Sequence, residues 1–154
     1  MNAPNTLLNQ SFAIAADHGG FGLKQHLLDY LKSKNISNFI DLGTDSDKSV
    51  HFPDYAGKMV ETIKSGKAQW GILICGTGLG MSIAANRHAG IYAALCHDTT
   101  TARLARQHNN ANILAMGGRI LGPTVAEDIV ETFLHTAFLG DRYQDRIGMI
   151  DPGC

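Results

Sequence analysis

Apolar residues recur along the chain in two patterns, as short continuous runs and as single positions spaced three or four apart. The runs have the length and the branched side chains typical of buried parallel strands. They predict five strands, at Phe12–Ala16, Phe39–Gly43, Gly71–Ile74, Ile91–Leu95 and Ile113–Met116. Polar or glycine-containing turns follow these runs and mark where the strands end.

The wider spacing predicts a helix after each strand. In the first helix Leu23, Leu27, Leu28 and Leu31 form an apolar stripe, and Lys24 is expected to face solvent. The later helices are predicted over residues 53–64, 81–87, 99–107, 124–138 and 141–150. The buried face of the helix over 124–138 is expected to consist of Val125, Ile129, Phe133 and Ala137.

Strict alternation of strand and helix predicts a parallel sheet with helices on both faces. We therefore expect a single α/β domain over residues 11–150, a three-layer sandwich with a five-stranded parallel sheet and a C-terminal helical tail. Residues 1–10 are expected to be a polar, mobile leader, and residues 151–154 a short tail. Ligands of such sheets bind beyond the carboxyl ends of the strands, where strand order reverses. The turns 17–20 and 75–80 are expected to face each other there.

The turn after the third strand carries the clearest chemical signal. Gly76, Gly78 and Gly80 alternate with other residues before a helix, a geometry that aims backbone N–H groups at one point and favours an anion. Cys75 lies at the start of this turn, at the end of the strand. A nearby helix N-terminus lowers the pKa of a thiol from about 8.5 into the range of roughly 3.5–7.5. Met81 occupies the last glycine position of a dinucleotide loop, and the turn lacks the lysine of a Walker loop. A tight packing turn with an inert thiol remains the alternative.

The composition and charge of the chain exclude several classes of binding partner. The formal net charge of −1 argues against a nucleic-acid or membrane footprint, which would show as a basic excess. No apolar run approaches the roughly 18 residues of a membrane span, and residues 1–10 do not resemble a signal peptide. Cys75, Cys96 and Cys154 are far apart and match no metal-site spacing, so we expect no metal and a reduced, cytoplasmic setting. Cys96 is expected to pack against its helix, and Cys154 to have no role.

Seven motifs together carry more information than any one of them. They are Ala16–Gly20, Asp41–Thr44, Phe52–Ala56, Ile74–Gly80, Ala84–Arg87, Arg106–Asn109 and Gly117–Arg119. In order and spacing they resemble the motifs of the type B ribose-5-phosphate isomerase family, which also contains galactose-6-phosphate and allose-6-phosphate isomerases. The resemblance runs from about residue 11 to residue 150.

The resemblance implies a Rossmann-like, metal-free and cofactor-free aldose–ketose isomerase of pentose phosphate metabolism. Such an enzyme interconverts ribose 5-phosphate and ribulose 5-phosphate through an enediol(ate), at sites shared between the subunits of a homodimer; a tetramer is equally compatible. By the same resemblance Cys75 is the base that moves the proton between C2 and C1, and His108 opens the sugar ring. Thr77 joins them at the catalytic centre.

The resemblance also assigns the substrate-binding residues. Hydroxyls and the enediolate are expected to be held by Asp17, Thr77, Asn109 and the turn glycines Gly76, Gly78 and Gly80. The phosphate is expected to be held by His18, Arg119, Arg142 and Arg146. One position departs from the family pattern, because Phe52 stands where a tyrosine is expected and its ring lacks a hydroxyl.

Several alternatives stay open at this point. His108 could simply cap a helix C-terminus, and His97 is the second candidate for ring opening. Arg142 and Arg146 could form an ordinary solvated face. A hexose-6-phosphate isomerase would use the same residues in a roomier site, and a sugar-phosphate sensor would bind the ligand without moving a proton.

Overall fold

Residues 6–151 are described by a computed structural model, which contains five strands and six helices in that range. The strands are β1 (Phe12–Ala16), β2 (Phe39–Asp41), β3 (Trp70–Cys75), β4 (Ala93–Leu95) and β5 (Ile113–Gly117). The helices are α1 (Phe21–Ser33), α2 (Phe52–Lys64), α3 (Leu79–Ala85), α4 (Thr99–Asn109), α5 (Pro123–His135) and α6 (Arg142–Gly148). Cys154 and most of the predicted tail lie outside the described residues.

The sheet is entirely parallel, with the strand order β2-β1-β3-β5-β4. Ala16 pairs with Ile74 at the carboxyl ends of β1 and β3, and Cys75 pairs with Gly117 on the other side of β3. Strand order reverses between β1 and β3, so the prediction that these two strands flank the reversal point is confirmed. The expected α/β sandwich is confirmed with it.

Helices cover both faces of the sheet, because alternate residues of each strand point to opposite sides. On one face Ile14, Ile72 and Leu114 pack against α1, α4 and α5. On the other face Ala13 and Leu73 pack against α2 and α3. Helix α6 packs on α4, outside these layers. No helix of the described range 6–151 is long and apolar enough to cross a bilayer.

Two predicted strands are shorter than expected, because turns take over their ends. Strand β2 stops at Asp41, whose carboxylate accepts a hydrogen bond from the Gly43 N–H at 2.9 Å. Strand β4 begins only at Ala93, because the Tyr92 N–H donates to the Asn112 side chain rather than to a strand. Helix α4 is longer than predicted and takes His108 into its last turn.

Two burial predictions are wrong. Lys24 is fully buried rather than exposed, because its ammonium group forms an ion pair with Asp41 at 2.8 Å. Val125 is 45% exposed: Ile129 and Phe133 are buried as predicted, but Ala126 and Val130 rather than Val125 complete the buried face of α5, which ends before Ala137. The predicted mobile leader also contains a buried residue: Leu7 packs into the core, and its N–H donates to the Leu134 carbonyl at 3.1 Å.

Candidate active site

The turn after β1 holds a nearly buried carboxylate in a fixed position. Oδ1 of Asp17 accepts hydrogen bonds from the N–H groups of Gly19 at 2.8 Å and Gly20 at 3.1 Å. The Asp17 N–H donates to the carbonyl of Ile74 on β3, which ties the turn to the neighbouring strand. Oδ2 accepts no hydrogen bond from the described residues. The carboxylate is therefore oriented by its own turn and keeps one oxygen for a ligand.

The turn after β3 brings a backbone N–H group to the thiol. Sγ of Cys75 accepts a hydrogen bond from the N–H of Gly78 at 3.1 Å, and the cysteine is 5% exposed at the margin of the core. Gly78 has a φ of +80°, and a Cβ there would lie 2.8 Å from the carbonyl carbon of Met116. Only glycine fits this conformation, so its presence allows the N–H to reach the sulfur.

A third turn, after β5, joins the other two. The Gly118 N–H donates to the Cys75 carbonyl at 2.8 Å, and the Arg119 N–H donates to the Gly76 carbonyl at 3.0 Å. The Arg119 side chain lies alongside Gly76, where an added Cβ would be 3.6 Å from Nη1. A Cβ on Gly19 would lie 3.0 Å from the Gly76 nitrogen. The three turns thus converge, and an exposed guanidinium lies beside the thiol turn.

Helix α3 begins in this turn, and an aromatic ring packs on its first residues. A Cβ on Gly80 would lie 3.0 Å from the ring of Phe52, so this ring covers the turn from the side of α2. Thr77 is exposed, and its Oγ1 accepts a hydrogen bond from the Leu79 N–H at 3.3 Å. The phenylalanine therefore keeps the packing of an aromatic ring against the glycine turn and contributes no hydroxyl.

His18 connects the first turn to the long loop that follows β2. Its Nδ1 accepts a hydrogen bond from the Val50 N–H at 3.2 Å. Since Nδ1 is the acceptor, a neutral ring carries its proton on Nε2, which can then donate to an anion. We call Asp17, His18, the turn 75–80 and Arg119 together the cysteine group. All of them lie at the carboxyl edge of the sheet.

The remaining predicted site residues form a second group. The His108 ring stacks on the Tyr143 ring, with the centroids 4.3 Å apart and the planes 8° from parallel. The guanidinium groups of Arg142 and Arg146 lie 5.0 and 5.8 Å from the centroid of the same ring. His108, Asn109, Tyr143 and Arg146 line a cavity of about 270 Å³. We call His108, Asn109, Arg142, Tyr143 and Arg146 the histidine group.

The hydrogen bond from the Arg142 Nη2 to the Tyr143 hydroxyl, 3.1 Å long, raises the already high pKa of the guanidinium further. This arginine therefore stays cationic at any physiological pH. Tyr143 itself was not among the predicted site residues. Its position between Arg142 and Arg146 on one short helix was the available signal.

The two groups lie at opposite edges of the sheet. Helix α4 starts after β4 at the carboxyl edge and returns to the amino edge, where Asn109 precedes β5. Its 11 residues span about 16 Å. The Asn112 carbonyl, just beyond this helix, accepts a hydrogen bond from the N–H of Gly71, at the amino end of β3. Within one chain, His108 and Asn109 therefore lie at the far end of the strand that carries Cys75.

Cys96 and His97, which follow β4, lie away from the cysteine group. Cys96 is buried against α4 as predicted, and desolvation raises its pKa to about 11. His97 is exposed after β4, an edge strand that β5 separates from β3. Asp98 caps α4 by accepting from the Thr101 N–H at 2.7 Å, and that hydrogen bond lowers its pKa. Cys96 is thus held as a neutral thiol.

Convergent turns and a thiol at the switch point of a parallel sheet define a Rossmann-like α/β protein. The sequence profile of the ribose/galactose isomerase family matches residues 12–150. Ribose-5-phosphate isomerase B from Escherichia coli is 40% identical over 141 residues, which cover 92% of this chain and 94% of that protein. The chain therefore belongs to the ribose/galactose isomerase family, as its motifs indicated.

Solved structures agree with this assignment. A ribose 5-phosphate isomerase from Thermotoga maritima superposes with a TM-score of 0.90 at 55% identity, covering 93% of this chain and 98% of that one. Ribose-5-phosphate isomerase B from Clostridium thermocellum gives a TM-score of 0.89 at 48% identity, covering 92% and 95%. Both relatives are enzymes by name.

Proposed function

We propose that this protein interconverts ribose 5-phosphate and ribulose 5-phosphate through a cis-enediol(ate), with Cys75 as the base. The observation that carries the proposal is the hydrogen bond from the Gly78 N–H to Sγ, at the carboxyl end of β3. The names of the E. coli and T. maritima relatives support this choice of substrate. A thiolate base requires a reducing compartment, which the cytoplasm provides.

The reaction moves one proton between two carbons. The Cys75 thiolate removes the proton from C2 of the open-chain aldose, and the electron pair of that C–H bond forms the C1–C2 double bond of the enediolate. The negative charge that develops on O1 is stabilised by the N–H groups of the glycine turn and by Thr77. The proton of the O2 hydroxyl passes to O1, which becomes the C1 hydroxyl. The thiol then returns its proton to C1: the electron pair of the C1–C2 double bond forms the new C1–H bond, and a lone pair of O2 forms the C2 carbonyl, which leaves the cysteine as a thiolate again. Asp17 Oδ2 is placed to hold a sugar hydroxyl.

The phosphate supplies binding energy at the far end of the sugar. Arg119 lies beside the turn and can form two parallel hydrogen bonds to a phosphate, while Nε2 of His18 can donate one more. Arg142 and Arg146 belong to the histidine group, so they would add two further cations from a second subunit. Binding at the phosphate holds C1 and C2 against the sulfur and so lowers the entropic part of the barrier.

Ring opening requires a second copy of the chain. We place His108 and Asn109 of one subunit at the cysteine group of the other, because within one chain they lie at opposite edges of the sheet. Exposed apolar side chains support this arrangement: Leu79 and Ile83 on α3 are 54% and 66% exposed beside the cysteine group. A face of this kind is typical of a surface covered by another protein.

The role of Cys75 is tested by replacing it with alanine. Removal of a general base typically costs about 10²–10⁴-fold in rate, so Cys75→Ala should lose kcat by at least that factor while binding ribose 5-phosphate in calorimetry. Exchange of the C2 hydrogen with solvent deuterium should stop as well. The matched control is Cys96→Ala, which removes the second buried thiol of residues 6–151 and should keep wild-type kcat. Near-normal turnover or continued C2 exchange by Cys75→Ala would show that another group is the base.

The shared site is tested by mixing two inactive variants. Cys75→Ala and His108→Ala homodimers, when exchanged to equilibrium, should recover about a quarter of wild-type activity, because half the dimers become mixed and each mixed dimer has one intact site. Mixing Cys75→Ala with Thr77→Ala, two changes in the same group, should recover none. No recovery in the first mixture would place His108 and Cys75 in sites of their own.

The family name itself keeps a second substrate class in view. The matching profile covers galactose as well as ribose isomerases, and a hexose 6-phosphate carries one more carbon between the carbonyl and the phosphate. Values of kcat/KM for ribose 5-phosphate, allose 6-phosphate and galactose 6-phosphate, measured with one enzyme preparation, decide between these substrates. We expect the pentose to be preferred.

A further inference from the structure

An ion pair with a buried lysine and a partly exposed aspartate lies next to the turn that holds Asp17. Lys24, in the first turn of α1, is completely buried, and its Nζ donates to both carboxylate oxygens of Asp41 at 2.8 Å. The Asp41 side chain is 39% exposed. Burying an ammonium group is costly unless it is paired, and an apolar residue of similar size is often at least as stabilising. A role other than stability would explain a lysine at this position.

The pair connects two turns at the carboxyl edge of the sheet. On one side, the Lys24 N–H donates to the carbonyl of Gly20 at 2.9 Å, and Gly20 ends the turn that holds the Asp17 carboxylate. On the other side, Asp41 Oδ1 also accepts a hydrogen bond from the Gly43 N–H at 2.9 Å. One residue, Lys24, thus ties the turn after β1 to the turn after β2.

The second turn is bonded in its own right to the residue that precedes Asp17. The Ala16 N–H donates to the Gly43 carbonyl at 2.7 Å, and the Thr44 N–H donates to the Ala16 carbonyl at 2.8 Å. Thr44 is buried, and the Tyr55 ring lies 3.0 Å from where a Cβ on Gly43 would be. Movement of the turn at Gly43 would therefore be transmitted to the backbone at Ala16 and on to the next residue.

We propose that the Lys24–Asp41 ion pair is a positioning element for catalysis, which sets the Asp17–Gly20 turn at its working distance from Cys75. The pair touches no substrate and acts through the turns at both its ends. This inference rests on the proposed site, in which Asp17 holds a sugar hydroxyl near the sulfur. A displacement of about 1 Å at such a site can cost on the order of 10²-fold in rate.

The variants separate positioning from stability. Lys24→Met replaces the ammonium with an apolar group of similar length, and Asp41→Asn removes the charge while keeping an oxygen for the Gly43 N–H. The double variant leaves no unpaired charge. The matched control is Tyr30→Phe, on the same helix, which removes the 3.0 Å hydrogen bond to Glu131 on α5, away from the carboxyl edge. kcat and KM are measured at a temperature at which circular dichroism shows every variant folded.

We expect each single variant to lose at least tenfold, and up to about 10²-fold, in kcat/KM. The double variant should lose a similar factor rather than the product, because all three changes break one link. Amide NMR signals of Gly19, Gly20 and Gly43 should shift in these variants and stay in place in Tyr30→Phe, whose kcat should match the wild type.

Three results would overturn the inference. The first is a folded Lys24 or Asp41 variant with wild-type kcat and KM, which would leave the pair a purely structural role. The second is a multiplicative loss in the double variant. The third is a double variant that fails to fold, because the pair would then be needed for folding itself. Turnover of the wild type and of Cys75→Ala is measured alongside. If the proposed reaction is wrong, these two proteins show it. If only the positioning role is wrong, they behave as expected and the Lys24 and Asp41 variants do not.

Discussion

Replacing Gly78 with alanine tests the turn that brings a backbone N–H to the Cys75 sulfur. Two separate costs follow from the structure. The φ of +80° lies in the left-handed region, which costs a residue with a Cβ about 1–2 kcal/mol. The added Cβ would also lie 2.6 Å from Leu95 Cδ1 and 2.8 Å from the Met116 carbonyl carbon. The leucine side chain can move, but the Met116 backbone lies in the strand beside β3, and such overpacking costs about 1–3 kcal/mol.

We therefore expect Gly78→Ala to lose about 2–5 kcal/mol in free energy of unfolding. Two other glycines separate the terms. Gly90 has a φ of +78° with nothing within 4 Å of an added Cβ, so Gly90→Ala should lose only the conformational part, about 1–2 kcal/mol. Gly57 lies inside α2 with an ordinary φ, and a Cβ added there would have nothing within 4 Å. Gly57→Ala should therefore gain about 0.5–1 kcal/mol in free energy of unfolding.

The assay is urea unfolding followed by far-UV circular dichroism, at one protein concentration for all variants, since the proposed dimerisation would make the midpoints depend on concentration. Turnover is measured on the folded variants in parallel. Moving the Gly78 N–H away from the sulfur removes one hydrogen-bond donor from the turn 75–80, and the loss of one such donor typically costs about 10²–10³-fold in kcat. Equal stability losses in Gly78→Ala and Gly90→Ala would refute the tight contact with Met116, and unchanged kcat would refute the catalytic use of this N–H group.

Three further predictions concern individual side chains. Burial raises the Cys96 pKa to about 11, so iodoacetamide at pH 8 should label it on the order of 10²-fold more slowly than an ordinary thiol in peptide mapping of Cys75→Ala; rapid labelling would contradict this burial. The Asp98 pKa is lowered by the Thr101 N–H, so its contribution to stability is present above the ordinary Asp value and lost as the pH falls through the lowered one. Asp98→Ala should therefore flatten the fall of Tm below about pH 4, and parallel acid limbs would contradict the cap. Phe52→Tyr adds a hydroxyl to a ring that is 37% exposed, so it should change the free energy of unfolding by less than about 0.5 kcal/mol in urea titrations, and a larger loss would mean that the ring edge is enclosed.

Much of the fold could be read from the sequence because local patterns and global topology agree. The apolar runs of β1, β3 and β5 are buried on both faces, as their composition indicated. The turns with the most glycine and reactive side chains follow β1 and β3, the strands that flank the reversal point, so the sequence alone predicts that Asp17 and Cys75 lie together. The family assignment rested on seven motifs in order, and the comparisons confirm it.

Other features depend on long-range partners and have no local signature. Lys24 falls on the polar side of the α1 pattern, and only the position of Asp41 at the end of β2 explains why it is buried. Strand β4 is short because the Asn112 side chain, 20 residues away, takes the Tyr92 N–H. The stacking of Tyr143 on His108 joins two helices that meet only in the folded chain. Patterns of spacing describe one element at a time and do not report such contacts.

The direction of α4 has a consequence for how this protein behaves at low abundance. The helix carries His108 away from the edge that holds Cys75. In the proposed arrangement a single subunit therefore contains two different half-sites and no complete active site. Specific activity would then fall on dilution once the protein concentration drops below the subunit dissociation constant, and added inactive Cys75→Ala protein would restore it. The rate of isomerisation would then depend on the concentration of subunits as well as on the concentration of the sugar phosphate.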